Sequence, residues 1–448
     1  VTSPGETTKD LQVAIRSAAD QARSDRHGGS ANDGSSPRRD LNDQVRDNTA
    51  QESQMVKIVL KRGGFSLAGA ALALVFPAAV GAATIERWNT DNVLVGATPP
   101  NGQTGASVIY DRDPALPGAT TSGRIVFTPP EAEGPGIKVQ PESYDDSGPS
   151  DLELTGCLMT SNPGATCTSG FQSGKRIKQQ MTGLGPVDLV FDTAESAETS
   201  TYQVFHRLIN VTGRSLAGFV VELGTGVGGG FVAFAGDSLV RFSSAFSAQP
   251  TGSGSASTQF PFGLFGDAAD NPNFSLNGFF EPERTGFSID FADARLESAG
   301  FYGPYGDYFG DWLSREAVPQ GAFWDDDADP TTDALLMAWL NKDGVWEARR
   351  SIDAGMAISL ATYQTFLTYQ DLLDGLFGGF EDAFSEGAIE DLANLNLNFA
   401  IELGEDFTGS SFTLRTTVLP APIPLPATGL LLLAGMGLLT ALRRRSAA

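Results

Sequence analysis

Hydrophobic and polar positions alternate with a period of two in two places along this chain. In the first, Tyr202, Val204, His206 and Leu208 alternate with Gln203, Phe205, Arg207 and Ile209. Residues 210–214 supply a turn, and 217–223 return as an apolar run. In the second, Leu395, Leu397, Phe399, Ile401 and Leu403 alternate with Asn394, Asn396, Asn398, Ala400 and Glu402. Residues 404–410 turn, and Phe412, Leu414, Thr416 and Val418 repeat the alternation. A strand sends successive side chains to opposite faces, so each stretch predicts a hairpin. The first is apolar on both faces, as in a doubly covered sheet. The second has one apolar and one polar face. Shorter β-like runs at 93–95, 107–110 and 124–127 sit between Gly, Pro, Asp and Thr. The pattern predicts a mainly β, sandwich-like domain over residues 84–420. One or two short helical insertions are expected between 334 and 390, at 334–340 and 363–384. In the second of these, Phe366, Leu367, Leu372, Leu373, Leu376, Phe377 and Phe380 approximate one helical face, which Gly375, Gly378 and Gly379 weaken.

The two ends follow other patterns. From Met55, Lys57, Lys61 and Arg62 precede an apolar core at 65–80 and small residues before Thr84. That is the layout of a secretory signal peptide, residues 55–83, cut near Ala82 or Ala83. It implies the Sec export machinery and makes Met55 the expected start. Residues 1–54 lack apolar periodicity and read either as a disordered leader or as sequence outside the translated protein. At the other end, residues 427–442 carry no charge. As a helix they span roughly 24 Å at about 1.5 Å per residue, short against a hydrocarbon core of about 30 Å. Arg443, Arg444 and Arg445 follow, as the positive-inside rule requires at a cytoplasmic face. Pro422, Pro424 and Pro426 keep the approach extended.

Residues 421–448 therefore resemble a VPLPA-type sorting signal. The matching residues are Pro424, Leu425, Pro426 and Ala427, then the apolar run, then Arg443 to Arg445, with Ile423 where valine is usual. The resemblance implies export, cleavage near the motif by an exosortase-type enzyme, and transient anchoring in the inner membrane. The destination it implies is the cell surface or extracellular matrix of a Gram-negative bacterium.

Composition sharpens this picture. The chain has 54 acidic and 30 basic residues, a net charge of −24. Such a surface repels nucleic acid and anionic lipid, so a nucleic-acid partner is excluded. Cys157 and Cys167 are the two cysteines. In an exported chain such a pair reads as a disulfide, the alternative being two free thiols. His206 sits inside a strand pattern and reads as a packed residue rather than a catalytic one. The glycines of 224–230 invite a nucleotide-loop reading, but no Lys-Ser or Lys-Thr and no helical pattern follow. They read as a flexible turn.

The best candidate for chemistry is one acidic stretch, with Asp267, Asp270, Asn271 and Asn273 as a second, weaker oxygen cluster. Asp325, Asp327 and Asp329 stand at alternate positions and Asp333 follows. That spacing can turn several carboxylates onto one Ca²⁺, which takes six to eight oxygens. The other reading is a solvated loop in which Asp329 or Thr332 caps a helix. Six aromatic residues between 301 and 312 form either a sugar-stacking platform or rings that cap the core, the second being the ordinary fate of aromatics. Residues 202–205, the Glu-Leu-Gly strand, the Trp-Asp-Asp-Asp segment and 390–396 together resemble the choice-of-anchor F family. That resemblance implies a bacterial surface protein and no activity. The expected function is a non-enzymatic exported protein, structural or adhesive, that meets extracellular polysaccharide. The competing expectation is a secreted hydrolase or binding protein acting on polysaccharide.

Overall fold

The computed structural model describes residues 82–421, apart from 146–151, 170–172, 197, 237–238, 244–288, 299–307, 326–327, 329–333, 353–357 and 377–378. The expected signal peptide up to residue 81 and the residues of the expected sorting motif, Pro424, Leu425, Pro426, Ala427, Arg443, Arg444 and Arg445, lie outside these. No helix among the described residues is long and apolar enough to cross a membrane.

The described chain is mainly β, in several sheets. A seven-stranded sheet runs in the order Ala82–Asn89, Val187–Ser196, Ser411–Pro420, Leu216–Thr225, Arg295–Ser298, Ile289–Ala292, with Val232–Ala233 attached to Leu216–Thr225. A nine-stranded sheet is built around Ser200–Asn210, which has the antiparallel neighbour Asn394–Leu403 on one side and the parallel neighbours Gly156–Thr160 and Ile177–Met181 on the other. The short runs noted near 93, 107 and 124 all fall in strands of this sheet.

The two expected hairpins are not hairpins. Ser200–Asn210 lies in the nine-stranded sheet and Leu216–Thr225 in the seven-stranded one. Asn394–Leu403 and Ser411–Pro420 are divided in the same way. Each pair is an arch that steps from one sheet to the other. The two arches stack antiparallel, with Val204 opposite Phe399 in one sheet and Val221 opposite Thr416 in the other. Tyr202, Val204 and Leu208 meet Phe219, Val221 and Leu223 in one hydrophobic cluster, which Leu397, Phe399, Phe412 and Leu414 complete. In a hairpin these side chains would lie beside one another on one sheet. Here they face each other across the core.

The step between sheets is pinned by polar contacts. Asn210 is fully buried. Its Nδ2 donates to the Arg214 carbonyl at 2.8 Å and to that of Trp312 at 3.1 Å, and its Oδ1 accepts from the Thr212 N–H at 3.0 Å. The bonds to Arg214 and Thr212 satisfy backbone groups of the connection, and the one to Trp312 adds a second donor to a carbonyl that already accepts the Leu216 N–H. The polar face expected on Asn394–Leu403 is not solvated either. Asn396 and Asn398 are buried, and Arg207 Nε donates to Asn396 Oδ1 at 2.8 Å.

A five-stranded antiparallel sheet follows, in the order Ile358–Phe366, Trp346–Ile352, Leu335–Leu340, Gln320–Trp324, Phe384–Ala388. The helix expected at 334–340 is the central strand of this sheet. Leu335, Met337 and Ala338 face one cluster, and Leu336 and Trp339 face another. Both faces are covered, so the alternation that marks a strand is erased and a six-residue apolar run remains. The second expected helix exists in part. Tyr363 to Phe366 end a strand, and a helix runs over Tyr369–Leu376. Thr368 caps it, its Oγ1 accepting the Asp371 N–H at 3.0 Å. Leu372 and Leu373 bury against the sheet.

Candidate functional site

The calcium expectation falls on the connection between Gln320–Trp324 and Leu335–Leu340. Asp327, Asp329 and Asp333 lie outside the described residues. Asp325 is described, and its Oδ1 accepts the Ala328 N–H at 2.8 Å, a contact that shapes the loop. Among the described residues no group of His, Cys, Asp or Glu is placed to hold a metal.

His206 sits in the core. It is fully buried beside Phe399, and its Nε2 lies 3.1 Å from Gln179 Oε1. Gln179 turns its own amide N–H toward the Met181 sulfur, so its oxygen is left to accept and His206 is the donor. Burial pushes the imidazole down to about 3. A neutral, enclosed imidazole cannot serve an external substrate. Its folded value lies below the unfolded one, so its contribution to stability is present above pH 6.5 and is lost as pH falls toward 3. Across that window His206→Gln is expected to flatten the fall of stability with acid by about 1.4 kcal/mol per pH unit. Urea midpoints measured between pH 4 and 7 check this, and identical slopes would contradict it.

The glycine loop is held rather than flexible. Asp188 and Arg415 are direct cross-strand partners, joined by two bonds of 2.7 Å. Asp188 Oδ2 also accepts the Gly228 N–H at 2.7 Å, and the Arg415 guanidinium donates to the Gly228 carbonyl at 2.7 Å. The Phe231 ring covers the guanidinium at 3.8 Å. Gly228 has φ +55°, and a Cβ there would stand 2.2 Å from the Asp111 carbonyl oxygen. The glycines serve this close approach.

The disulfide expectation holds: Cys157 and Cys167 are bonded, with Cα atoms 5.8 Å apart. Lys175 donates to the Cys167 carbonyl at 2.9 Å and lies over the Phe205 ring at 4.3 Å. Burial lowers its ammonium to about 8. Lys138 donates to the carbonyls of Asn162 and Ala165, both at 2.6 Å. The lysines are spent on holding this loop.

The aromatic cluster divides. Phe301, Tyr302 and Tyr305 lie outside the described residues. Trp312 is wholly buried, as rings that cap the core should be. Tyr308 and Phe309 line a groove of about 420 Å³ beside the five-stranded sheet. Trp339 closes it from behind, 5.3 Å from both rings. Pro319, Gln320 and Lys342 lie along it. Arg349 stands 4.5 Å from the Tyr308 ring and 4.5 Å from that of Tyr363. Its charge is offset by Glu347 at 3.9 Å. Sequence reasoning marked Tyr308 and Phe309 by their spacing. It missed Trp339, Gln320 and Lys342, which three other segments bring in.

No protein family, no curated protein and no solved structure matches this chain.

Proposed function

We propose that this chain is an exported, non-enzymatic protein of the cell surface or extracellular matrix, with a structural or adhesive role built on a β-sandwich-like domain. In this reading it leaves through the Sec machinery, rests briefly in the inner membrane and is released by an exosortase-type enzyme. The observation that carries it is the buried Cys157–Cys167 disulfide, a bond that persists in oxidising compartments outside the cytoplasm. The position of the last strand supports it. Ser411–Pro420 is hydrogen-bonded on both sides, to Val187–Ser196 and to Leu216–Thr225, and it ends beside the sorting segment. A tail attached to a surface would thus pull on a central strand rather than on an edge.

Processing tests this. Ala83 is buried, and its carbonyl accepts a hydrogen bond from Ser200 Oγ. A cut after Ala82 keeps both contacts, whereas a cut after Ala83 discards them. Native material is expected to begin at Ala83 and to lack everything after about Pro426. N-terminal sequencing and intact mass read both ends. Surface material that retains Arg443 to Arg445 would overturn exosortase-type sorting, and a start at Thr84 would overturn the packing argument.

A further inference from the structure

We propose that the groove between the 308–320 segment and the turn at 341–344 binds a carboxylate-bearing sugar unit of an acidic polysaccharide. Its volume of about 420 Å³ falls within the roughly 300–1,000 Å³ of small-molecule sites. Its lining suits a pyranose. The C–H face of a sugar packs on aromatic rings, and here Tyr308, Phe309 and Trp339 supply them. Its hydroxyls need hydrogen-bond partners, and the Gln320 amide and Lys342 ammonium stand at the same groove.

Charge selects the acidic class. The chain has 54 acidic residues against 30 basic ones. Yet none of the described residues lining this groove is acidic, and Lys342 is the charged group among them. An ammonium is a point charge with three donors, suited to a carboxylate. The lining itself thus carries one positive charge and no negative one.

The site is also pre-organised. Tyr308 is 41% exposed, but its ring is braced by buried Trp339 and by Arg349. The Lys342 stem rises from a locked turn. Asn341 Nδ2 donates to Glu347 Oε1 at 2.7 Å, and Asn341 Oδ1 accepts the N–H groups of Asp343 and Val345, both at 3.0 Å. Ordering these groups in advance lowers the entropy that binding must offset.

The proposal rests on the matrix reading only for the source of the ligand. Its test uses the full chain in detergent, titrated by calorimetry with a glucuronic-acid tetrasaccharide and with the matching neutral glucose tetrasaccharide. The acidic ligand is expected to bind about tenfold more tightly, the range of one charge-assisted hydrogen bond. Lys342→Gln is expected to remove that preference, and Tyr308→Ala to weaken both ligands about tenfold by loss of ring contact. Both residues are exposed, and unchanged melting of each variant shows that the fold is intact. Equal affinity for the two ligands, no binding of the acidic one, or unaltered binding in both variants would each overturn the assignment. None of these outcomes alters the masses that test sorting.

Discussion

Trp312→Ala is expected to destabilise the protein by about 3–5 kcal/mol, the usual cost of deleting a fully buried large aromatic side chain. Trp312 is 0% exposed. Its ring meets Phe219 edge to face at 6.5 Å, and its indole N–H donates to the Ala393 carbonyl at 2.7 Å. Its backbone exchanges two bonds of 2.9 Å with Leu216, where the first arch enters the second sheet. One residue thus ties the tip of one arch to the start of Asn394–Leu403, the strand that opens the other. Trp312→Phe keeps most of the volume and is expected to cost about 1–3 kcal/mol, because the Ala393 carbonyl loses its donor. Urea unfolding of the two variants checks both figures. A loss below about 1 kcal/mol for the alanine variant would mean that neighbouring chain refills the site and that the staple is not structural.

Asp188→Ala is expected to be as damaging, by about 3–5 kcal/mol, for an electrostatic reason. The Asp188 side chain is 2% exposed and that of Arg415 13%. Removing the carboxylate leaves a guanidinium under the Phe231 ring without its counter-charge and frees the Gly228 N–H. Replacing both partners, as in Asp188→Val with Arg415→Leu, is expected to recover much of the loss, since no buried charge is then left alone. Equal stability of the single and double variants would show that the cost lies in packing rather than in the orphaned charge.

The candidate groove was half legible. The dense spacing of Tyr308, Phe309 and Trp312 marked a special segment, but spacing alone does not say which rings face inward. Trp312 goes to the main core because Leu216 pairs with its backbone. Tyr308 stays at the surface and Phe309 half-buried because Trp339 fills the space behind them. Gln320 and Lys342 carry no local signal. Each is an ordinary surface residue until the strands Gln320–Trp324, Leu335–Leu340 and Trp346–Ile352 pair and set their ends side by side.

What the sequence alone determined is which positions are apolar and with what period they recur. Alternation at 202–208 and 395–403 is a local property, set by a backbone that turns each side chain opposite to the last. It identified these strands and their apolar faces, and the two cysteines of the chain identified the disulfide. The tertiary structure alone decided which strand sits beside which. Backbone N–H and C=O groups are the same in every strand, so nothing local distinguishes a hairpin partner from one nearly two hundred residues away. Leu208 sits opposite Leu395, and both join the one apolar cluster that the two arches close between the two sheets, where burial is favoured. The same reason turned 335–340 into a strand. A run of six apolar residues fits a buried helix or a doubly covered strand, and the covers on both faces chose between them.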